Sequence, residues 1–235
     1  MFKNKPILNF LLYIIFSSII ASPLILLQEK IHKNLLFLFN FIVFGLTFFL
    51  LTHFCTKKQE SGYLFKKLKF RDLIIPLYVV WFIIFCIEFP LHCYLQIKSD
   101  TTDVILIIGA LVLAPFIEEF IFRVFLFKQL TSKYSIKFSF IFSTLLFGLI
   151  HVNLLQIFFA LMIGILLSFI YYKYDNYLMN VILHSVTNLM GLIMGYIVKN
   201  FITYQPFIFG INGLVLLFLF YRFKLKDKII SFLKI

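Results

Sequence analysis

Residues 104–127 read VILIIGALVLAPFIEEFIFRVFLF, an apolar run interrupted by three charged residues, Glu118, Glu119 and Arg123. The hydrocarbon core of a bilayer is about 30 Å thick, and a helix needs about 20 apolar residues to cross it. The run is long enough, so we predict a membrane-spanning helix. A charged side chain at the centre of such a helix costs about 2.5 to 3.5 kcal/mol on insertion scales. The stretch therefore sets the fold class and raises the question of what its charges do.

The rest of the chain has the same apolar character. Of its 235 residues, 62% are hydrophobic and 14% are charged, and the mean hydropathy is +1.02. Ordinary soluble domains are far less apolar. We predict an all-α, polytopic integral membrane protein. Its transmembrane helices, about eight by length, fall at 7–27, 34–54, 73–94, 104–127, 136–152, 156–173, 177–198 and 202–222.

These helices use nearly the whole chain, so no separate soluble domain is expected. We divide the chain into three N-terminal helices (1–103), a central set of helices with polar motifs (104–200), and a last helix with a basic tail (201–235). The first apolar run follows Lys3 and Lys5, as in a signal peptide, but it lacks a clear cleavage pattern. We expect it to be retained as a helix.

The formal net charge of +12 comes from 22 Lys and Arg residues against 10 Asp and Glu residues. With eight spans and the N-terminus inside, most of the basic residues fall in cytoplasmic segments, including those at 57–71 and in the tail from 222. This bias predicts that both termini are cytoplasmic. Topology and contact with anionic lipid account for the charge, so no nucleic-acid partner is predicted.

The charges of the fourth run have an order that favours pairing. Glu119 and Arg123 are four residues apart with the acid first, the better arrangement for an ion pair on a helix. Glu118 then lies about 100° around the helix, on another face. Pro115 lacks an N–H, so we expect it to bend the helix just before the acids. Glu118 is the acid left for chemistry.

Two later runs also carry polar residues at helical spacing. Phe147 and His151 share one face, and so do His184 and Asn188. Counted from the cytoplasmic boundary, Glu118, His184 and Asn188 lie about 10 to 16 Å deep and His151 about 21 Å deep. We expect these polar groups to converge on one cavity that opens to the cytoplasm. Glycines near these motifs would let the helices approach closely: Gly148, Gly164, Gly191 and Gly195.

Such a set predicts hydrolysis in either of two ways. A carboxylate and a histidine can deprotonate a water that attacks a carbonyl, while a second histidine and an asparagine amide stabilise the oxyanion. Alternatively, Glu118, His151 and His184 can ligate a Zn²⁺ ion whose bound water is the nucleophile. The sequence leaves both open. A further pair, Glu88 and His92, is expected to be structural and to lie near the outer interface, where polar groups are cheap.

Three spaced motifs follow one another along the chain: E-E-x-x-x-R (Glu118, Glu119, Arg123), F-x-x-x-H (Phe147, His151) and H-x-x-x-N (His184, Asn188). In this pattern the chain resembles the CPBP family, which comprises type 2 CAAX prenyl endopeptidases and bacterial Abi proteins of bacteriocin processing and self-immunity. The resemblance implies that Glu118 and His151 activate the water. It also implies that His184 and Asn188 form the oxyanion site and that Glu119 and Arg123 support the first motif.

The predicted function is therefore an intramembrane endopeptidase, called a metalloprotease by family usage, in a bacterial cell membrane. Its partners would be the lipid bilayer and a peptide or membrane-protein substrate. One alternative is a non-catalytic immunity or scaffold protein that binds through the same cavity. A small transporter with an acid and histidine relay is another, although it gives the combined motifs no specific purpose.

Overall fold

The structure is a computed structural model that describes residues 5–27, 31–55, 68–95, 103–151 and 153–233. Within these ranges the chain is helical and has no strand. Several lysines behind the predicted orientation, among them Lys3, Lys57, Lys58, Lys66 and Lys67, lie outside the described residues. The described helices are α1 (Pro6–Ala21), α2 (Lys33–Cys55), α3 (Phe70–Tyr94), α4 (Val104–Thr131), α5 (Ile136–Leu149), α6 (Leu154–Tyr174), α7 (Tyr177–Phe201), α8 (Gln205–Arg222) and α9 (Leu225–Leu233).

Seven of these helices are long and apolar enough to cross a membrane, which confirms the predicted all-α, polytopic membrane fold. The predicted span at 136–152 differs from the other runs. It forms the 14-residue helix α5, which ends at Leu149 and is about 21 Å long. The next helix begins after Asn153, whose side chain accepts a hydrogen bond from the Leu155 N–H. This N-cap lies directly before Leu154, the first residue of α6.

Two prolines follow widened helical turns. A π segment at Gly109–Leu113 ends two residues before Pro115, and another at Ile84–Glu88 ends two residues before Pro90. A proline cannot donate to the helix, and its ring crowds the carbonyl four residues earlier, so a wider turn relieves the clash. A third π segment runs from Phe120 to Phe127. Helix α4 thus continues past Pro115 with a local change of pitch at each side of the two acids.

The described chain forms two compact units. The first comprises 1–66 and 103–181, and the second comprises 67–102 and 182–235. The boundary falls within α7, whose first residues belong to the first unit. The core of the first unit is rich in phenylalanine and joins five helices, with Phe10 from α1, Phe48 from α2, Phe122 from α4, Phe147 from α5 and Ala160 from α6. The predicted three-part division of the sequence stays a prediction.

Helices α5 and α6 pack closely because glycines face bulky side chains. A Cβ added at Gly148 would lie 2.6 Å from the Leu161 side chain, and one at Gly164 would lie 3.0 Å from the Phe147 ring. Small residues of this kind let membrane helices approach each other. The close approach brings the α6 backbone at Gly164 within reach of side chains from α4.

In the second unit, α3 packs with the later part of α7, with α8 and with α9. The Tyr78 hydroxyl on α3 donates to the Leu216 carbonyl on α8 over 3.4 Å. The short helix α9 follows Lys224, which has a positive φ of 47°, and it buries Leu225 and Phe232.

Candidate active site

The predicted ion pair of the first motif is present and buried. Arg123 Nη1 lies 3.2 Å from Glu119 Oε1 on α4. Glu119 is 0% exposed and Arg123 is 1% exposed. Charged groups are this deeply buried only when opposite charge and hydrogen bonds compensate their desolvation. The remaining contacts of the two side chains therefore matter.

Arg123 has two further partners from α5 and α6. Its Nη2 donates to the Gly164 carbonyl over 3.2 Å. Its guanidinium carbon lies 4.2 Å from the centre of the Phe147 ring, a cation–π contact. Gly164 leaves room for this arrangement, because a Cβ there would lie 3.0 Å from the Phe147 ring and 3.2 Å from the Thr144 side chain. Phe147 of the second motif thus stabilises the arginine of the first.

Asn180 is the residue that sequence reasoning missed. It is 0% exposed, and its Nδ2 donates to Glu119 Oε2 over 3.1 Å and to the Leu167 carbonyl over 2.8 Å. One Glu119 oxygen therefore faces Arg123 and the other faces Asn180. A signal exists in the sequence: Asn180 precedes His184 by four residues, so Asn180, His184 and Asn188 share one face of α7.

Glu118 differs from its neighbour in burial. It is half-buried, whereas Glu119 is fully buried. Arg123 interacts electrostatically with both carboxylates, more strongly with Glu119. Glu118 is thus the more accessible acid of the first motif. The division of labour expected from the sequence, in which Glu119 supports the first motif and Glu118 takes part in the chemistry, stays a prediction.

The sequence spacing suggested that His151 lies on the same helix as Phe147. In the structure, His151 lies just beyond the end of α5. Helix α5 ends at Leu149, and the His151 N–H donates to the Gly148 carbonyl over 3.1 Å. Nδ1 of His151 lies 3.1 Å from the Phe147 carbonyl. A carbonyl oxygen can only accept, so Nδ1 carries the hydrogen of this bond. In the neutral ring Nε2 is then the basic nitrogen.

The third motif lies in the second unit, on α7. His184 is buried and Asn188 is half-buried. The helix is regular over both residues, which places them on one face, as predicted. The structure thus distributes the predicted residues over the two units: Glu118, Glu119, Arg123, Phe147 and His151 in the first, His184 and Asn188 in the second.

The pair Glu88 and His92, which the sequence predicts to be structural and near the outer interface, is buried within the protein. Glu88 Oε1 lies 3.6 Å from His92 Nε2, and the two residues are 8% and 9% exposed. A Cβ added at Gly191 on α7 would lie 3.5 Å from Glu88 Oε1. Depth counted along one helix could not show this, because the burial comes from the packing of α3 against a glycine of another helix.

The side chains that can ligate a metal ion such as zinc are those of His, Cys, Asp and Glu. Among the described residues, no group of three or more such side chains is arranged to hold a metal ion. The zinc ligands expected from the sequence, Glu118, His151 and His184, stay a prediction, and we assign no step to a metal.

The comparison with known protein families agrees with the motifs. Residues 100–190 match the family model described as type II CAAX prenyl endopeptidase Rce1-like. The matched region contains all three motifs. No curated protein and no solved structure matches the chain. The match confirms the predicted resemblance: residues 100–190 are similar to the Rce1-like type II CAAX prenyl endopeptidases, a protease family.

Proposed function

We propose that this multi-pass membrane protein is an intramembrane endopeptidase that hydrolyses a peptide bond with a water activated by Glu118 and His151. The observation that carries the proposal is the family match over residues 100–190, inside which every motif residue is present. The family model covers the chemistry-bearing helices α4 to α6 and the first half of α7.

The structure supports Glu118 as the working acid of the first motif. Both oxygens of Glu119 already have partners, Arg123 and Asn180, and a carboxylate held in this way is a poor proton acceptor. Glu118 is half-buried, so it is the more accessible of the two carboxylates. A general base must be able to reach the water it deprotonates.

His151 would share this work through Nε2. Its Nδ1 is held by the Phe147 carbonyl, which fixes both the tautomer and the ring orientation. In the proposed reaction the base takes one proton from water, and the resulting hydroxide attacks the carbonyl carbon. His184 and the Asn188 amide donate hydrogen bonds to the oxyanion. The C–N bond then breaks, the base returns its proton to the leaving nitrogen, and the products are a carboxylic acid and an amine.

The substrate class follows from the family description. We propose a peptide or membrane-protein segment, with prenylated CAAX sequences as the first class to test. The physiological role would be peptide or protein processing, or bacteriocin self-immunity, in a bacterial cell membrane. A bacteriocin or peptide-pheromone precursor encoded beside this protein would favour the second role.

The test is peptide cleavage by the purified protein in lipid nanodiscs. The probe is a fluorogenic peptide that ends in a CAAX sequence, assayed with and without a farnesyl group. We expect Glu118→Gln and His151→Gln to lower kcat by at least about 100-fold, the low end for loss of general acid–base catalysis, while the protein inserts and unfolds like the wild type. Cleavage at the wild-type rate in both variants would contradict the assignment.

The same samples distinguish the alternative of a non-catalytic immunity or scaffold protein. If the wild type binds the peptides without cleaving them, and both variants bind equally well, the endopeptidase proposal is wrong. Metal content and activity after treatment with a chelator address the zinc hypothesis separately. Full activity in metal-free protein would rule out a zinc-bound water.

A further inference from the structure

We propose that Tyr177, Gly45 and Asn180 are positioning residues that hold the helical turn Phe116–Glu119 and thereby fix Glu118. This inference rests on the proposed function, in which Glu118 acts on the water. The three residues come from α7 and α2, and all of them belong to the first unit. Each one contacts a different residue of the turn, and Glu118 lies between the contacts.

The first contact holds the backbone. The Tyr177 hydroxyl donates to the Phe116 carbonyl over 2.7 Å, and the two rings pack edge to face with centroids 5.9 Å apart. The Phe116 carbonyl also accepts from the Phe120 N–H, which is shared with the Ile117 carbonyl. Here α4 changes from α to π pitch. Tyr177 therefore holds the backbone at the residue pair where the helix changes its pitch.

The second contact seats a side chain. A Cβ added at Gly45 would lie 2.6 Å from Cδ1 and 2.7 Å from Cγ1 of Ile117. These separations are well below van der Waals contact, so the Ile117 side chain occupies the space that any other residue at 45 would need. Because Gly45 has no side chain, the Ile117 side chain packs directly against the backbone of α2.

The third contact holds the far end of the turn. Asn180 donates to Glu119, which Arg123 binds from the other side. Tyr177 and Asn180 lie in the first turn of α7, three residues apart, and so project from neighbouring positions on one side of that helix. Asn176 caps this turn, with its Oδ1 accepting from the Met179 N–H over 3.0 Å. A single capped helix start therefore holds both Phe116 and Glu119.

This arrangement matters for the proposed reaction, because a catalytic group must be held in a precise position. Displacing a catalytic group by about 1 Å can lower a rate about 100-fold, and such groups need support to within about 0.5 Å. Three groups next to Glu118 are held in place: the Phe116 carbonyl, the Ile117 side chain and the Glu119 carboxylate. Loosening one contact would let the turn move and would misplace Glu118 without removing it.

The first experiment compares Tyr177→Phe with Tyr171→Phe in the cleavage assay. Both tyrosines belong to one core cluster, so the variants remove the same atom from the same environment. We expect Tyr177→Phe to lower kcat by about 10-fold or more, within the range for a misplaced catalytic group, while KM changes less than about twofold. Tyr171→Phe should keep wild-type values. Equal kinetics in the two variants would overturn the inference.

The second experiment uses a matched pair of glycines that both face α2–α4 contacts. Gly45→Ala would push against Ile117, whereas a Cβ at Gly109 would lie 3.4 Å from the Leu38 side chain, close to ordinary contact. We expect Gly45→Ala to lower kcat more than KM changes, and Gly109→Ala to have little effect on either. A Gly45→Ala protein with wild-type kcat would contradict the contribution of this contact.

We call the three contacts that hold the turn Phe116–Glu119 the clamp. Hydrogen exchange measures how firmly the clamp holds this turn, without any substrate. We expect Tyr177→Phe in nanodiscs to speed amide exchange in the peptide that covers 116–121, and Tyr171→Phe to leave it unchanged. Faster exchange without any cleavage by the wild type would mean that the proposed function fails while the clamp stands. Unchanged exchange in Tyr177→Phe would overturn the clamp, whatever the activity.

Discussion

Each unit of this protein buries an acid and a basic residue four positions apart on one helix, and the two pairs are compensated differently. Glu119 and Arg123 in the first unit are joined by Asn180, the Gly164 carbonyl and the Phe147 ring. Glu88 in the second unit lies 3.6 Å from His92 and beside Gly191. The spacing in the sequence is the same, but the basic partner and the supporting contacts are not.

The difference concerns which pair can lose its charge. Arginine stays protonated in proteins, so Glu119 and Arg123 must remain an ion pair supported by further hydrogen bonds. Histidine can be neutral, and an acid beside it can hold a proton instead. The first pair is therefore a fixed pair of charges, whereas the second is adjustable, since its basic partner is a histidine.

The largest expected effect is that of Arg123→Leu. The change leaves the fully buried Glu119 without its cation, and breaking a buried pair in this way costs about 3 to 5 kcal/mol. We expect a large fall in the yield of folded protein and in the midpoint of thermal unfolding in detergent. Wild-type stability would contradict the network.

The matched change in the other pair is His92→Leu. Glu88 can take up a proton when its partner is lost, so we expect a clearly smaller loss of stability than for Arg123→Leu. The same unfolding measurement compares the two variants. Equal losses would remove the distinction between a fixed and an adjustable pair.

Asn180→Leu should have the next largest effect. It removes the donor to Glu119 and to the Leu167 carbonyl, and a buried acceptor left without its partner costs about 1 to 3 kcal/mol. Asn180→Asp should be at least as harmful, because it places a second carboxylate beside Glu119. A harmless Asn180→Asp would mean that the amide does not face the acid.

Glu88→Gln should change stability by less than about 1.5 kcal/mol, since a neutral amide of the same shape fills the same space beside His92 without a buried charge. Its control is Glu119→Gln, which removes the negative charge beside a permanent cation and should cost more. Thermal unfolding of both variants in the same detergent checks the order. A reversed order would show that Glu88 carries the more strongly bound charge.

The sequence was sufficient for the features that depend on one helix at a time. Hydropathy predicted eight spans, and the structure confirms seven of them, the exception being the shorter helix α5. The four-residue spacing predicted the pair of Glu119 and Arg123, which the structure also confirms. The ends of helices were harder to predict from the sequence. Helix α5 ends at Leu149, so His151 lies past its end, and the Asn153 cap sets the start of α6.

Contacts between helices were beyond the sequence. In the sequence, Asn180 is one polar residue in an apolar helix. Only the structure shows its hydrogen bond to Glu119, 61 positions away. The burial of Glu88 depends in the same way on Gly191. No periodicity within α3 or α7 encodes these partners, since each contact joins two helices that pack only in the folded chain. The roles of Glu118, His151, His184 and Asn188 stay predictions.

The smallest effect is expected at a carboxylate outside the spanning segments, which gives a baseline for the buried pairs. Asp103 caps α4 by accepting from the Ile105 and Leu106 N–H groups, and Asn34 on α2 donates to its side chain. The hydrogen bond from Asn34 lowers the pKa of Asp103 below its usual value, and the two backbone bonds act in the same direction.

A lowered pKa in the folded protein means that Asp103 adds stability above its ordinary pKa, and this contribution is lost as the pH falls through the lowered value. We therefore expect the wild type to unfold at a higher temperature than Asp103→Asn at neutral pH, with a difference that shrinks at about pH 3, below the ordinary aspartate value. Asn34→Ala should reduce the same difference, because it removes the donor that contributes most to the shift. A gap between wild type and Asp103→Asn that stays constant from neutral to acid pH would show that the charge of Asp103 does not stabilise the start of α4. The cap would then act only through its shape, in contrast to the buried charge at Glu119 farther along the same helix.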